Sequence, residues 1–276
     1  MFSTQEIAHF RAFGFVVRRG CFDPAEAAQL KAEVGAGIGD AFGGVGTDDD
    51  PEGTGGIRGD YLPLSVDRAP LSQALIADDP RLFQGSVELL GGPTVPTVPI
   101  ATCFTSNAGW HADDGRGVGG VKFIAYLERR TAGTGALRVL PGTHEPAYQA
   151  RTGEYWSRDP AGQGFDPWPV PGIALETEPG DVIAFDRHLF HSSDGGHNRL
   201  AWTIEYLPWP GLGDRDRIDL VRRVVVDAAG YDHEGYDRDR WPTWREWVAG
   251  ARGIPSRECA VQRLRLLGVL GEGDPQ

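Results

Sequence analysis

The chain has 276 residues, of which 40% are hydrophobic and 10% aromatic, enough for one large domain with a substantial core or for two small ones. Its formal net charge of −12 argues against nucleic acid and anionic membranes as partners, because both require a basic face. Three widely spaced cysteines predict neither a disulfide framework nor a cysteine zinc site, so we expect a reducing, cytoplasmic location.

The N-terminal segment predicts a helix, a strand and a second helix, and it lacks the basic patch and apolar run of a signal peptide. Ser3 and Glu6 have the spacing of a capping box, which marks the start of the first helix. Asp23 followed by Pro24 predicts the start of the second helix, which is expected to cover residues 25–34.

Residues 35–60 alternate glycines with a run of aspartates and predict a long loop. A phosphate-binding loop is excluded, because the lysine and serine or threonine that end such loops are missing. Loops of this length are often active-site lids, and plain disorder explains the composition equally well. Helical patterns follow at residues 71–75 and 80–90.

From Pro93 the pattern becomes β, with one strand predicted at residues 121–127 and another at 136–140. A tight turn at 179–181 is expected to begin a single strand that runs from Val182 to His191. A hairpin-type turn at 194–198 and a return strand at 199–207 complete the β region. Between these strands, residues 145–170 are irregular and rich in aromatic side chains.

After residue 210 the β pattern ends, and residues 218–229 and 260–270 predict helices. The chain contains no internal repeat and no low-complexity segment. We therefore predict a single domain over residues 1–276. It would consist of an N-terminal helical and lid region (1–92), a β core (93–210) and a C-terminal helical extension (211–276).

His111 and Asp113 are the strongest chemical signal in the sequence. On an extended chain, side chains two residues apart point to the same side, so this pair can offer one nitrogen and one oxygen to a metal ion. Alternation along the strand that begins at Val182 favours His191 over His188 as a third ligand. Two histidines and one carboxylate form the facial triad of non-haem Fe(II) oxygenases.

Further segments follow this pair in a fixed order: GALRVLPGTH at 135–144, GDVIAF at 180–185, then His191 and Arg199. Together they resemble the phytanoyl-CoA dioxygenase family of Fe(II)/2-oxoglutarate oxygenases, over roughly residues 1–210. The resemblance implies a mainly β fold with flanking helices, a double-stranded β-helix (jelly-roll, cupin-like) with the metal at one mouth.

The resemblance also implies that His111, Asp113 and His191 hold Fe(II) and that Arg199 binds the distal carboxylate of 2-oxoglutarate. An arginine suits that role physically, because its guanidinium is always charged and can grip a carboxylate with two hydrogen bonds. Ser193 could donate a hydrogen bond to the same carboxylate. The turn between His191 and Arg199 is shorter than in some relatives, which leaves the depth of Arg199 open.

The implied reaction consumes O2 and 2-oxoglutarate, releases succinate and CO2, and oxidises a C–H bond of a small polar metabolite, in specialised metabolism. Halogenating relatives need a small residue at the position of Asp113, so its carboxylate favours hydroxylation, desaturation or ring formation. Lys122 could pair with a carboxylate or phosphate of the substrate or of 2-oxoglutarate, or it could point to solvent. Further candidates near the cavity mouth are Asn107, Arg58, Tyr61 and Trp168.

Two other functions stay open on the sequence. A non-catalytic relative could keep the barrel for binding or assembly, although retention of all four positions argues against it. A zinc or manganese hydrolase or cupin-type enzyme could use the same ligands, but it would leave Arg199 without a role. The oligomeric state cannot be read from the sequence.

Overall fold

The structure is a computed structural model. It describes residues 1–42, 59–64, 69–77, 79–97, 99–104, 107–113, 117–150, 172–225, 248–253 and 255–270. Within these ranges the helices of eight or more residues are α1 (Thr4–Phe13), α2 (Pro24–Phe42), α3 (Pro70–Ala77), α4 (Phe83–Leu90), α5 (Arg215–Val225) and α6 (Pro255–Leu266). The strands are β1 (Phe15–Arg18), β2 (Gly59–Pro63), β3 (Thr94–Pro96), β4 (Ile100–Phe104), β5 (Ala108–His111), β6 (Val121–Tyr126), β7 (Thr134–Val139), β8 (Ile173–Leu175), β9 (Val182–Asp186), β10 (His191–Gly195) and β11 (Arg199–Pro208).

The strands form two antiparallel sheets. The larger has the order β1-β9-β6-β11-β4-β2, with β3 also paired to β11, and the smaller has the order β5-β10-β7-β8. A core of side chains from both sheets fills the space between them. The fold is therefore mainly β with flanking helices, the double-stranded β-helix (jelly-roll, cupin-like) that was predicted.

Strand β11 shows how the sequence produces three layers, namely the helices, the larger sheet and the smaller sheet. Because side chains alternate across a strand, Leu200, Trp202 and Ile204 all point away from the smaller sheet and join a second core with the helices. Ala201 and Thr203 point the other way, toward the space between the sheets. Every residue of β11 except Pro208 is buried, and most of the strand is apolar.

The first helix and strand agree with the sequence prediction. The Ser3 hydroxyl accepts from the Glu6 amide at 3.2 Å, and the Glu6 carboxylate accepts from the Ser3 amide at 2.7 Å, which completes the capping box. Gly14, with φ of 83°, ends α1. Strand β1 then pairs with β9 at the edge of the larger sheet.

The predicted loop at 35–60 was wrong at both ends. Helix α2 continues to Phe42, because Val34 and Ile38 are one turn apart and both are fully buried in the core. Residues 59–63 form β2, which pairs with β4 and was not predicted. The remaining loop residues, 43–58, lie outside the described part of the chain, as do 151–171 of the aromatic segment.

The prediction of one strand from Val182 to His191 was also wrong. Strand β9 ends at Asp186, residues 187–190 turn, and His191 begins β10 in the other sheet. The following turn is not a hairpin either, since β10 pairs with β5 and β7 whereas β11 pairs with β4, β6 and β3. Gly195, Gly196 and Asn198 have φ of 78°, 74° and 47°, and they carry the chain from one sheet to the other.

The two C-terminal helices lie close to their predicted positions, with α5 ending at Val225 and α6 at Leu266. Residues 226–247 between them lie outside the described ranges. Across the helices that the structure does describe, none combines the length and apolar composition that crossing a bilayer requires.

Candidate active site

Two adjacent strands of the smaller sheet bring His111, Asp113 and His191 together. His111 ends β5, His191 begins β10, and the two residues are direct partners across these strands. Asp113 follows two residues after the end of β5. Its Oδ1 lies 3.7 Å from Nε2 of His111 and 3.6 Å from Nε2 of His191. One potential ligand atom from each residue lies within 4.8 Å of the others.

The backbone fixes which ring nitrogen each histidine presents. Nδ1 of His111 is 2.7 Å from the Gly109 carbonyl oxygen, and Nδ1 of His191 is 2.9 Å from that of Leu189. A carbonyl oxygen can only accept a hydrogen bond, so Nδ1 carries the proton in both rings. Both Nε2 atoms therefore present a lone pair toward Asp113, the arrangement expected of imidazole ligands to a metal.

Charge near the triad favours its metal-binding forms. Burial alone would raise the pKa of Asp113, but Lys122 and the two imidazoles outweigh it and hold that pKa well below its usual value. Burial lowers the pKa of His191 to about 4, so this ring is neutral near pH 7. A carboxylate oxygen and two imidazole nitrogens, one atom from each residue, suit Fe(II) and leave positions for other ligands.

The triad borders a cavity of about 580 Å³ between the two sheets, its open mouth included. The walls come from inward-facing positions of both sheets and combine hydroxyl-bearing, charged and apolar side chains. The lining residues are Tyr61, Thr102, Phe104, Ala108, His111, Asp113, Lys122, Ile124, Tyr126, Leu137, Phe185, His191, Ser192, Ser193, Arg199, Ala201 and Thr203.

Arg199 lies deep in the cavity wall, 2% exposed, at the start of β11. Its Nη1 donates to the Gly195 carbonyl at 2.7 Å, and its Cζ is 5.8 Å from the centroid of the Phe104 ring. Burial lowers the pKa of Arg199, yet a guanidinium keeps its charge in proteins. The open question of its depth is answered, because Arg199 is buried in the same cavity as the triad.

The other predicted site residues have different surroundings. Ser193 and Tyr61 both line the cavity and are largely buried, and desolvation raises the pKa of Tyr61. Lys122 also lines it, but its Nζ donates to Asp113 at 2.9 Å. Asn107 is not part of the wall, and its Oδ1 accepts from the Gly195 amide at 2.8 Å. Arg58 and Trp168 lie outside the described residues.

Sequence reasoning missed several polar residues of the wall. Tyr126 stands two positions beyond Ile124 and four beyond Lys122 on β6, so strand alternation from Lys122 identifies it. Thr102 and Thr203 occupy inward positions on the neighbouring strands β4 and β11. No local motif marks them, since only the pairing of the strands brings them to one wall.

Comparison with solved structures agrees with this fold. AviO1 from Streptomyces viridochromogenes Tue57 is 22% identical, with a TM-score of 0.54 over 74% of this chain and 93% of its own. SnoK, a non-haem α-ketoglutarate-dependent carbocyclase from nogalamycin biosynthesis, is 16% identical, with a TM-score of 0.58 over 75% and 85%. EctD from S. alaskensis, with 2-oxoglutarate and 5-hydroxyectoine, is 21% identical, with a TM-score of 0.52 over 75% and 77%. A search of curated protein sequences finds no match.

A family model gives the assignment that these distant structures alone cannot. The model of phytanoyl-CoA dioxygenase (PhyH) matches residues 10–199, well over half of the chain and nearly all of the β core. The chain belongs to the phytanoyl-CoA dioxygenase family, and it is a 2-oxoglutarate-dependent oxygenase whose cofactors are Fe(II), 2-oxoglutarate and O2.

Proposed function

We propose that the protein hydroxylates an unactivated C–H bond of a small polar metabolite, with release of succinate and CO2. In this proposal His111, Asp113 and His191 hold the iron. The observation that carries it is the convergence of Asp113 Oδ1 with two Nε2 lone pairs, in the same cavity as the buried guanidinium of Arg199.

Arg199, Ser193 and the two histidines of the triad have defined tasks in this proposal. Arg199 anchors the distal carboxylate of 2-oxoglutarate, and Ser193 donates a hydrogen bond to it, because both side chains are buried and line the same cavity. The two backbone carbonyls that fix the imidazole tautomers keep both Nε2 atoms aimed at one point. Iron with 2-oxoglutarate, when bound, supplies the oxidation of the C–H bond.

The remaining wall supports a small substrate with polar groups. Ile124, Leu137 and Phe185 form an apolar surface that excludes water from the reacting carbon. Tyr61 and Thr203 offer hydroxyls that can orient polar substituents. Of the similar structures, EctD contains a hydroxylated compound, 5-hydroxyectoine, and two are enzymes of nogalamycin biosynthesis, which supports a role in specialised metabolism.

Ring formation or desaturation with the same cofactors is the second candidate. The similar structure SnoK is a carbocyclase, so a related cavity serves ring formation in that protein. The product of the reaction decides between the candidates, because hydroxylation adds one oxygen atom to the substrate and the other two reactions remove two hydrogen atoms. Mass spectrometry of the product separates them.

We also propose that residues 1–276 form one domain in a reducing cytoplasm, which would keep the metal ferrous. One hydrophobic core supports the single domain, because it contains Phe2 and Phe10 from the N-terminal region, Trp202 from the β core and Leu264 from α6. A single thermal unfolding transition, seen by both fluorescence and circular dichroism, is the expected result.

The test of the proposed function measures succinate formed from 2-oxoglutarate in the presence of Fe(II), O2 and candidate substrates. His191→Gln should abolish turnover and weaken metal binding, because it removes one of three ligands. His188→Gln is the matched control, since His188 lies three residues away and contacts Asp186 at 3.1 Å instead of the triad. Full turnover by the His191 variant would refute the assignment of the site.

An anaerobic titration tests the non-catalytic alternative. The protein loaded with Fe(II) should bind 2-oxoglutarate and develop the visible charge-transfer absorption of a chelated keto acid. A protein that binds neither the metal nor 2-oxoglutarate would be a binding or assembly relative, and the proposed enzyme activity would be rejected.

A further inference from the structure

Lys122 forms a direct ion pair with the triad carboxylate. It lies on β6 between Phe185 of β9 and Glu205 of β11, both of which are its direct cross-strand partners. Its Nζ donates to Asp113 Oδ2 at 2.9 Å and lies 3.7 Å from Glu205 Oε1. The Lys122 side chain is 19% exposed, so protein groups replace most of the water around the ammonium.

Glu205 holds the ammonium from the opposite side. Its second oxygen, Oε2, lies 3.1 Å from Nε of Arg187, and both side chains are about one-tenth exposed. Arg187 is tied in turn to the Gly119 carbonyl through Nη1 at 3.2 Å. Positive and negative charges thus alternate along the series Arg187, Glu205, Lys122 and Asp113. These contacts fix the position of Nζ against Asp113.

The two oxygens of Asp113 consequently have different surroundings. Oδ1 faces the Nε2 atoms of both histidines at 3.6–3.7 Å, whereas Oδ2 accepts the hydrogen bond from Lys122. A carboxylate can ligate a cation through one oxygen or through both. When an ammonium holds the second oxygen, the one-oxygen mode is strongly favoured, because the other mode would break a buried ion pair.

We propose that Lys122 is a positioning residue that keeps Asp113 a one-oxygen ligand and so reserves coordination positions for the co-substrates. The inference rests on the proposed function. His111, Asp113 and His191 would each hold the metal through one atom, which would leave its other positions for 2-oxoglutarate and O2. If Asp113 ligated through both oxygens, one of these co-substrates would lose its position.

This role makes a prediction that a purely structural role does not. Removal of the ammonium frees Oδ2, so Asp113 becomes a stronger donor that can use both oxygens. Binding of the metal should then be unchanged or tighter, while binding of 2-oxoglutarate becomes weaker. A residue that only stabilises the fold would weaken both when it is replaced, because all ligands would be misplaced together.

The experiment compares Lys122→Met with Lys31→Met, since Lys31 and Lys122 are the only two lysines of the chain. Lys31 is matched in its contact, a 2.9 Å ion pair with Glu128, but lies on the surface with its side chain 50% exposed. Calorimetry measures Ni(II) binding to each protein, and then 2-oxoglutarate binding to each Ni(II)-loaded protein. Ni(II) serves as a probe that does not react with O2.

For Lys122→Met we expect the Kd of 2-oxoglutarate to rise about tenfold or more, while the Kd of Ni(II) stays equal or falls. Lys31→Met should match the wild-type protein in both. X-ray absorption of the Ni(II)-loaded proteins gives an independent readout, because two-oxygen ligation brings the carboxylate carbon closer to the metal than one-oxygen ligation does. We expect this sign of two-oxygen ligation in Lys122→Met and not in the wild-type protein or Lys31→Met.

Equal weakening of both ligands, or no change in either, overturns the inference. If Lys122→Met does not fold, the double variant Lys122→Met/Glu205→Gln removes one charge of each sign and is tested in the same way. Failure of both to fold makes Lys122 a structural residue, which also overturns it. If wild-type protein with Ni(II) does not bind 2-oxoglutarate, the proposed function fails instead, so the two failures are distinguishable.

Discussion

At position 135 the chain needs a residue without a side chain, because Arg199 lies directly against it. A Cβ at Gly135 would overlap Cδ of Arg199 and the Gly195 carbonyl oxygen, and would lie 2.8 Å from Nη1 of Arg199. The backbone there also has φ of 83°, which side-chain-bearing residues rarely adopt. Gly135 therefore sets where the guanidinium can rest in the cavity wall.

We expect Gly135→Ala to raise the Kd of 2-oxoglutarate about tenfold, equivalent to about 1.4 kcal/mol, through displacement of the Arg199 side chain. Gly142→Ala is the matched control, because Gly142 has φ of 80° and its nearest neighbouring atom would be 3.8 Å from the added Cβ. Both variants should lose about 1–2 kcal/mol of folding free energy from backbone strain. Calorimetry on the metal-loaded proteins would contradict the prediction if both bound 2-oxoglutarate equally.

The individual residues of the site could be predicted to different extents. His111 and Asp113 could be identified together because their spacing is local, and the ordered motifs pointed to His191 and Arg199. The contacts of Lys122 could not be predicted, because Glu205 reaches it only through the register of β6 against β11.

At the scale of elements, the sequence showed where most strands lie but not which sheet each strand joins. The segment from Val182 to His191 has a mostly apolar alternating face, and its polar run at 186–188 is the local sign of the turn that separates β9 from β10. The choice of His191 over His188 agrees with the geometry, but the argument from one continuous strand was wrong. The turn, rather than alternation, brings His191 to the triad.

The tight turn before β9 is held by one carboxylate. Asp181 is 5% exposed and accepts from the Gly20 amide at 2.8 Å, the Glu178 amide at 3.0 Å and Arg19 Nη1 at 2.7 Å. Burial opposes ionisation of Asp181, but these donors outweigh it and lower its pKa. The carboxylate thereby ties β9 to the segment that follows β1.

We expect Asp181→Asn to lower the free energy of unfolding by about 2 kcal/mol at pH 7, because hydrogen bonds to a charged group are lost. A lowered folded-state pKa stabilises the protein above the unfolded-state value of about 3.9, and this stabilisation is lost as pH falls through the folded-state pKa. The difference in Tm between wild type and variant should therefore shrink below about pH 4.

Thermal melts between neutral and acidic pH measure this difference. Glu178→Gln is the control, because its carboxylate is 62% exposed in a surface pair with Arg129 and should affect Tm little at any pH. A difference between wild type and Asp181→Asn that stayed constant as the pH fell would mean that the charge of Asp181 does not stabilise the turn.

At the scale of the whole molecule, the site joins the two sheets. The smaller sheet supplies His111 and His191, while Lys122 and Arg199 belong to the larger one. A metal bound with 2-oxoglutarate would thus bridge both sheets, in addition to the apolar core between them. Ligands that bind only the folded chain stabilise it by mass action.

Saturation with Ni(II) and 2-oxoglutarate should therefore raise the melting temperature, and removal of the metal by a chelator should reverse the rise. At a ligand concentration of about 100 Kd the expected gain is about 2.7 kcal/mol in the free energy of unfolding. Asp113→Asn should show little or no rise, since the anionic ligand is absent. An equal rise in that variant would place the stabilising metal elsewhere.

The direct pairing of His111 with His191 has a consequence for how the protein assembles. Successive residues of a strand face opposite sides, so a slip of β5 by one residue against β10 would turn the His111 imidazole to the other face of the sheet. Such a misaligned chain could still bury most of its apolar side chains elsewhere. The fraction of a refolded preparation that binds metal therefore measures the fraction of molecules in which β5 and β10 pair in the native register.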